Sequence, residues 1–171
     1  MLFPQFKWVV FVALKQEVPS LFQESEKLCV ISYKSIESGD YRVLKTSNAS
    51  ILCIITGVGK MGSESSAEWV LEHCDVLHGL NIGSAGAIKD SSLVGSLVFP
   101  LSVFHIDSEE SIEVWDTVGF YTELSLKRVD SCVTVLDKCD SLSNDIIDME
   151  SFYIANVFKK RGVPFSVCKF I

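Results

Sequence analysis

The sequence predicts a single α/β domain, residues 1–171, in which helices flank a mixed central β-sheet. Two observations support this class: continuous apolar runs typical of strands covered on both faces, and glycine-rich turns and helical spacing that follow those runs. A third is size, because 171 residues with 48% hydrophobic content can bury roughly 70% of the unfolded surface. We therefore expect a core that needs no disulfide or metal to fold.

The first predicted strand is residues 8–14, an apolar run with three valines. It is too short to cross a bilayer, and Lys15, Gln16 and Glu17 follow it in place of the small residues of a signal cleavage site. No membrane association is therefore expected. Glu17 lies just past the strand, before a helix predicted within 15–27, and is either a solvated helix-start carboxylate or a site residue.

A second buried strand, residues 51–56, runs into the turn 57–60 and then into an amphipathic helix. The apolar stripe of this helix is formed by Ala67, Val70, Leu71 and Cys74. The turn fits neither phosphate-loop spacing, and Met61 stands where a magnesium-binding hydroxyl is required. Binding of a nucleoside triphosphate is therefore excluded.

Residues 76–88 contain a third strand, which ends in Gly83-Ser84-Ala85-Gly86. Such a turn lets a ligand approach the backbone at a strand's carboxyl end, where open α/β sheets build their sites. A simple connecting turn is the alternative. The remaining predicted strands are a hairpin of 28–33 with 41–46, then 94–99 limited by Pro100, 132–136 and 164–171.

The last predicted helix runs from Met149 to Arg161, with Asp148 as its cap and basic residues in its last turn. Apolar residues occupy nearly all of its sides, so we expect it to be largely buried. Glu150, in its first turn, either accepts hydrogen bonds from free helix N–H groups or binds hydroxyls of a ligand.

Composition limits the partners and the compartment. The net charge is −7 and the chain has three arginines, so phosphate backbones are repelled and nucleic acid is not expected as a partner. The six cysteines show no C-x-x-C spacing and lie mostly in apolar runs. They are interpreted as reduced, buried residues of a cytoplasmic protein.

Four segments together resemble the purine nucleoside phosphorylase superfamily. They are FVALKQEV (11–18), TGVGK (56–60), NIGSAG (81–86) and DMESFYIA (148–155) followed by VPF (163–165). Their order and spacing agree with the family across nearly the whole chain. Within it the chain resembles the nucleosidase branch, which includes methylthioadenosine/S-adenosylhomocysteine nucleosidase and the futalosine hydrolases of menaquinone biosynthesis.

The resemblance implies a nucleoside phosphorylase-like fold and hydrolysis of the N-ribosidic bond of a 5′-substituted purine nucleoside, with no metal and no cofactor. Glu17 matches the general base that activates water, and Glu150 the carboxylate that holds the ribose hydroxyls. Met149 packs on the sugar in this reading, and the walls of the sugar and base pocket are Val58, Ser84, Ala85 and Gly86. Asn81 stands at the place of the phosphorylases' phosphate-binding arginine, which favours water over phosphate as nucleophile.

In the family the strand after VPF continues into a Ser-Asp or Ser-Asn step that protonates the leaving purine, whereas this sequence stops at Ile171. We expect the sequence to be incomplete there, with a terminal helix also absent. A shorter 130–147 region favours futalosine or aminofutalosine over methylthioadenosine. The family also implies a homodimer, with Trp115, Phe120 and Tyr121 as the loop that closes a neighbour's pocket. The alternatives are a non-catalytic nucleoside-binding or scaffold protein and, less favoured, a phosphate-dependent phosphorylase.

Overall fold

The structure is a computed structural model that describes residues 5–18, 28–38, 50–108, 110–115, 126–135 and 144–171. Within these ranges the chain forms ten strands and three α-helices around one mixed sheet, as predicted. The strands are β1 Gln5–Val12, β2 Leu28–Ser32, β3 Ile51–Ile55, β4 Asp75–Ser84, β5 Gly86–Ala87, β6 Leu97–His105, β7 Ser111–Glu113, β8 Leu126–Thr134, β9 Ile146–Asp148 and β10 Phe165–Phe170. The helices are α1 Tyr33–Glu37, α2 Lys60–His73 and α3 Ser151–Arg161, with short 3-10 turns at Lys15–Glu17 and Ser91–Leu93.

The strand order is β2-β3-β1-β4-β10-β6-β8-β9-β5, and β7 pairs with β6. The first five strands are mutually parallel, so β1, β3, β4 and β10 end at one edge of the sheet. At β10 the direction changes, because β10 pairs antiparallel with β6. The segments that follow β1, β3 and β4 therefore emerge side by side, where parallel sheets place ligands.

The far end of the sheet returns to the same place. Only Ala85 separates β4 from β5 in the sequence, although four strands (β10, β6, β8 and β9) lie between them in the sheet, where β5 pairs with β9. The sheet must therefore curl so that its β9 and β5 end returns to the end of β4. As a result Met149 and Glu150, directly after β9, come to the turn that follows β4.

Two clusters of buried apolar residues form the core, and the larger one packs the helices against the sheet. Phe11 on β1 meets Phe158 on α3 edge to face, with ring centroids 5.6 Å apart. The helix lies so close to β4 that a Cβ added at Gly79 would come 2.4 Å from a ring carbon of Phe158. A glycine is required there for α3 to pack directly against the strand.

Most predicted elements agree with the structure, and the hairpin does not. Residues 28–32 form β2, which pairs parallel with β3 and runs straight into α1. The reason is local: Ser32 caps α1, its Oγ accepting a hydrogen bond from Ser35 N at 3.3 Å. The other half of that hairpin, 41–46, lies outside the described residues, as does most of the helix predicted within 15–27.

Two predicted boundaries also shift. β6 continues through Pro100 to His105, because Pro100 lies where β6 exchanges its neighbour β10, paired at Val98, for β7, paired at Ser102. Helix α3 begins at Ser151, two residues later than predicted, with Glu150 at the N-cap position. Asp148 does cap it, since its carboxylate accepts a hydrogen bond from Ser151 N at 3.0 Å.

Five cysteines fall within the described ranges, and all are buried: Cys29, Cys53, Cys74, Cys132 and Cys168. Burial raises the pKa of the Cys53, Cys74 and Cys168 thiols to about 12. These thiols are therefore protonated and pack as small apolar residues, as the sequence predicts. Cys139 lies outside the described residues.

Candidate functional site

Glu17 is held at the carboxyl edge of the sheet by hydrogen bonds to both of its carboxylate oxygens. Oε2 accepts from the backbone N–H groups of Ala13 and Leu14, at 3.0 and 2.9 Å. Oε1 accepts from the backbone N–H and the hydroxyl of Ser84, both at 3.0 Å. The end of β1 and the end of β4 thus meet on one carboxylate.

These four donors occupy the acceptor sites that a carboxylate offers. Three are backbone N–H groups and fixed, whereas the Ser84 hydroxyl can rotate away. A water molecule would therefore reach Glu17 at Oε1, in the place of the Ser84 hydroxyl. Glycine at position 83 keeps this approach open, since a Cβ there would lie 3.3 Å from Oε1.

The turn after β3 positions a second carboxylate. Gly57 and Gly59 have positive φ values of 75° and 87°, which glycine adopts at little cost. The turn is joined to β1 by hydrogen bonds from Thr56 N to Val12 O at 2.8 Å and from Gly57 N to Ala13 O at 3.1 Å. Gly59 N then donates to Glu150 Oε1 at 3.1 Å.

The turn after β4 completes the arrangement. Gly86 pairs antiparallel with Ile147, and a Cβ at Gly86 would lie 2.9 Å from Ile147 Cγ2. The backbone of Ser84-Ala85-Gly86 therefore runs beside the strand that leads into Met149 and Glu150. Val58 precedes Gly59, whose N–H bonds Glu150, and it is 56% exposed, so a large apolar side chain of this turn is open to solvent.

The structure thus brings the predicted residues together as two linked groups. Glu17 is bonded to Ser84, and Glu150 to the turn that contains Val58, while Ala85 and Gly86 connect the two groups through β5 and β9. Met149 is half-buried beside Glu150. Their roles toward a ligand remain predictions, since no ligand contact is described.

The Glu150 side chain is buried, and burial raises the pKa of its carboxyl. The positive charge of Lys169 opposes this shift, while the negative charge of Asp148 adds to it. Hydrogen bonds from backbone N–H groups, including that of Gly59, also favour the ionised form.

Sequence reasoning missed the buried polar network under this site. Lys169 Nζ lies 2.8 Å from Asp148 Oδ2, and the two side chains are 1% and 0% exposed. Asp148 Oδ1 accepts from the Thr134 hydroxyl at 2.6 Å, and the Ser151 hydroxyl contacts both Asp148 and Asn81. A lysine inside a predicted buried strand was the signal, because a buried cation requires a partner.

Asn81 itself belongs to this network. Its Nδ2 donates to Phe11 O at 3.1 Å, its Oδ1 accepts from the Ser151 hydroxyl at 2.9 Å, and it is 1% exposed. Both ends of the amide are used within the fold.

Other features lie away from this edge. Two cavities of about 230 and 210 Å³ are lined by residues of the described ranges that include neither Glu17 nor Glu150. Within those ranges no group of three or more His, Cys, Asp or Glu residues could hold a metal ion, and no helix could span a membrane. Trp115 is 62% exposed, while Phe120 and Tyr121 lie outside the described residues.

The fold agrees with the comparisons with known proteins. The model of the phosphorylase superfamily matches residues 7–123, so the chain belongs to this superfamily. No curated protein matches the sequence significantly.

Several solved structures share the fold at low identity. A futalosine hydrolase mutant of Helicobacter pylori is similar at a TM-score of 0.74 and 17% identity, covering 97% of this chain and 89% of that one. The 5′-methylthioadenosine/S-adenosylhomocysteine nucleosidase of Campylobacter jejuni also reaches 0.74, at 16% identity, covering 97% and 85%. That of Helicobacter pylori reaches 0.73 at 17% identity, covering 96% and 87%.

Proposed function

We propose that the protein hydrolyses the N-ribosidic bond of a 5′-substituted purine nucleoside. The observation that carries the proposal is the pair of oriented carboxylates at one edge of the sheet. Glu17 is fixed by four hydrogen bonds, and Glu150 is fixed by the glycine turn. Two carboxylates with glycine-lined backbone between them suit a ribose held from one side and attacked from the other.

Glu17 is the proposed general base. When the Ser84 hydroxyl rotates away, a water molecule donates a hydrogen bond to Glu17 Oε1 and attacks C1′ of the ribose. The bond from the water oxygen to C1′ forms, the C1′–N9 bond breaks, and the water proton passes to Glu17. The electron pair of the broken bond leaves with the purine, which takes up one proton. The negative charge of Glu17 also stabilises the cationic character of C1′ in the transition state.

Glu150 is the proposed ligand of the ribose hydroxyls, which donate hydrogen bonds to its carboxylate. This interaction requires the ionised form, because a protonated carboxyl offers fewer acceptor sites. Met149 would pack on the sugar, and the Ser84-Ala85-Gly86 backbone with Val58 would flank the sugar and base.

Water is favoured over phosphate as the nucleophile. Asn81 lies where a phosphorylase would place its arginine, and its amide is buried and hydrogen-bonded at both ends. It supplies no positive charge for a phosphate dianion.

The substrate class follows from the resemblance and from the solved structures, which are named as a futalosine hydrolase and as nucleosidases for 5′-methylthioadenosine and S-adenosylhomocysteine. We propose futalosine or aminofutalosine first and the two thio-nucleosides second. A cytoplasmic homodimer is part of the same proposal, and light scattering at micromolar concentration that finds a monomer would contradict the dimer.

The test is base release from these four nucleosides, measured with and without phosphate and with the sugar product identified. We expect free sugar, equal rates in both buffers, and a loss of about 10²–10⁴-fold in Glu17→Gln. Glu68→Gln, at an exposed position on α2, is the matched control and should keep the wild-type rate. No release from any of the four would favour the non-catalytic nucleoside-binding alternative, and a sugar 1-phosphate product would indicate a phosphorylase.

A further inference from the structure

Four titratable groups from three strands and the start of α3 are gathered beneath the candidate ribose site. They are Cys132 on β8, Asp148 at the end of β9, Lys169 on β10, and Glu150 itself. Each is buried, and Lys169 is the cation among them. The proposed hydrolysis uses only Glu150, so the buried Lys169–Asp148 pair still requires an explanation.

Asp148 anchors the backbone that follows Glu150. It accepts hydrogen bonds from the Thr134 hydroxyl at 2.6 Å and from Ser151 N at 3.0 Å. Thr134 in turn accepts from Phe152 N at 2.9 Å. The two residues that follow Glu150 are thereby tied to the Asp148 carboxylate, Ser151 directly and Phe152 through Thr134, which restricts the backbone that carries the Glu150 side chain.

Lys169 holds Asp148 through an ion pair, with 2.8 Å between Lys169 Nζ and Asp148 Oδ2. Its register explains why it is available there, since Lys169 pairs with Gly83 on β4, one residue before Ser84. The lysine is thus carried by the strand next to the one that ends in Ser84, and its ammonium group reaches the carboxylate that anchors the start of α3. The cost of burying an isolated lysine is high, so this placement demands nearby negative charge.

The charges favour a coupling between Lys169 and Glu150 as well. Burial lowers the pKa of Lys169, but the carboxylates of Asp148 and Glu150 outweigh it and leave that pKa above its ordinary value. Burial raises the pKa of Glu150, and the Lys169 charge counteracts this. Cys132 is uncharged at neutral pH, because burial and the charge of Asp148 raise its pKa.

We propose that Lys169 is a positioning residue for Glu150: held by Asp148, it keeps the Glu150 carboxylate ionised and directed at the turn of Gly59. A structural ion pair alone would fix the fold without acting on the charge of Glu150. The proposal deepens the proposed function, and it rests on that function only for its consequence, which is binding of the ribose hydroxyls.

The direct test is an NMR titration of the Glu150 carboxyl carbon in protein labelled with ¹³C-glutamate, the resonance being assigned with Glu150→Gln. We expect the titration midpoint to rise in Lys169→Met. It should rise less in Lys169→Met/Asp148→Asn, which removes a stabilising and a destabilising charge together. Lys169→Arg should restore the wild-type midpoint, and Lys7→Met, at an exposed strand position, should leave it unchanged.

A reciprocal measurement leaves the buried pair intact. Since coupling between two sites acts equally in both directions, Glu150→Gln must lower the titration midpoint of the Lys169 side chain, followed through its own carbon resonance. An unchanged Lys169 midpoint in Glu150→Gln overturns the proposal even if the Lys169 variants do not fold. An unchanged Glu150 midpoint in folded Lys169→Met overturns it as well.

Neither titration needs a substrate, so the outcome is separate from that of the hydrolysis assay. If the wild-type protein releases no base while the midpoints shift, the proposed function fails and the coupling stands. If it is active, Lys169→Met should raise KM for the nucleoside by a larger factor than it lowers kcat, with Lys169→Arg restoring KM.

Discussion

Replacing Lys169 with methionine should destabilise the protein through a mechanism that the structure specifies. The variant removes the cation 2.8 Å from Asp148 and leaves a carboxylate whose side chain is 0% exposed. Breaking a buried pair in this way typically costs about 3–5 kcal/mol. Asp148 keeps its donors Thr134 and Ser151, so we expect the lower end, about 3 kcal/mol, or a fall in Tm of roughly 6–12 °C for a domain of this size.

The assay is urea unfolding of the wild type, Lys169→Met, Asp148→Asn and the double variant. The double variant should lose less stability than the sum of the losses of the single variants, because it leaves no unpaired buried charge.

The dependence of stability on pH has a definite sign. The Lys169 charge and hydrogen bonds outweigh burial and hold the pKa of Asp148 below its ordinary value. The contribution of the Asp148 carboxylate to the free energy of unfolding is therefore present above its unfolded-state pKa and is lost as pH falls through its folded-state pKa. The loss of stability of Lys169→Met relative to the wild type should become smaller over the same pH range. A double variant whose loss equals the sum of the two single losses would refute the reasoning.

Three further predictions concern the turns and the site. Gly62→Ala should unfold at a lower urea concentration than the wild type, with a loss of roughly 1–3 kcal/mol in the free energy of unfolding, since its Cβ would lie 1.9 Å from Thr56 O. Ser65→Ala in the same helix is the control. Equal losses of stability in the two variants would contradict the clash. KM for the nucleoside should rise as pH falls through the raised pKa of Glu150, because the protonated carboxyl binds the ribose hydroxyls less well. Steady-state kinetics measures this dependence. A KM that is independent of pH in mildly acidic buffer would count against Glu150 as the ligand of the ribose hydroxyls. Ser84→Ala should change kcat by less than about tenfold, because the Ser84 hydroxyl no longer bonds Glu17 Oε1 when the water attacks. A loss as large as that of Glu17→Gln would contradict this account of Ser84.

The sequence predicted the strands and helices whose apolar patterns are continuous. Residues 8–14, 51–56 and 76–88 contain strands of a parallel sheet whose central residues, at 9–13, 52–54 and 79–81, are buried in succession, so their hydrophobicity alone identifies them. The pattern of 28–33 was interpreted wrongly because a short apolar strand followed by polar residues fits a hairpin and a strand-to-helix turn equally well. The cap formed by Ser32 and Ser35 decides between them, and propensity does not reveal it.

The residues of the candidate site were predicted from the sequence, and the buried polar network beneath them was not. Glu17 and Glu150 were identifiable because each follows a strand and lies in a segment that resembles the family. The Lys169–Asp148 pair depends on the curl of the sheet that returns β9 to β4, and this non-local pairing leaves no periodic signal in the chain. Asn81 was read as a difference in nucleophile, and the structure adds that its amide also ties β1 to α3.

The most direct test of the central claim is the single-turnover rate of N-ribosidic cleavage in wild type and Glu17→Gln, with the purine nucleoside that the wild type accepts. Single turnover isolates bond cleavage from product release. If Glu17 activates the water, the variant should bind the nucleoside normally and cleave it about 10²–10⁴ times more slowly. A cleavage rate equal to that of the wild type would contradict the assignment of Glu17 as the general base.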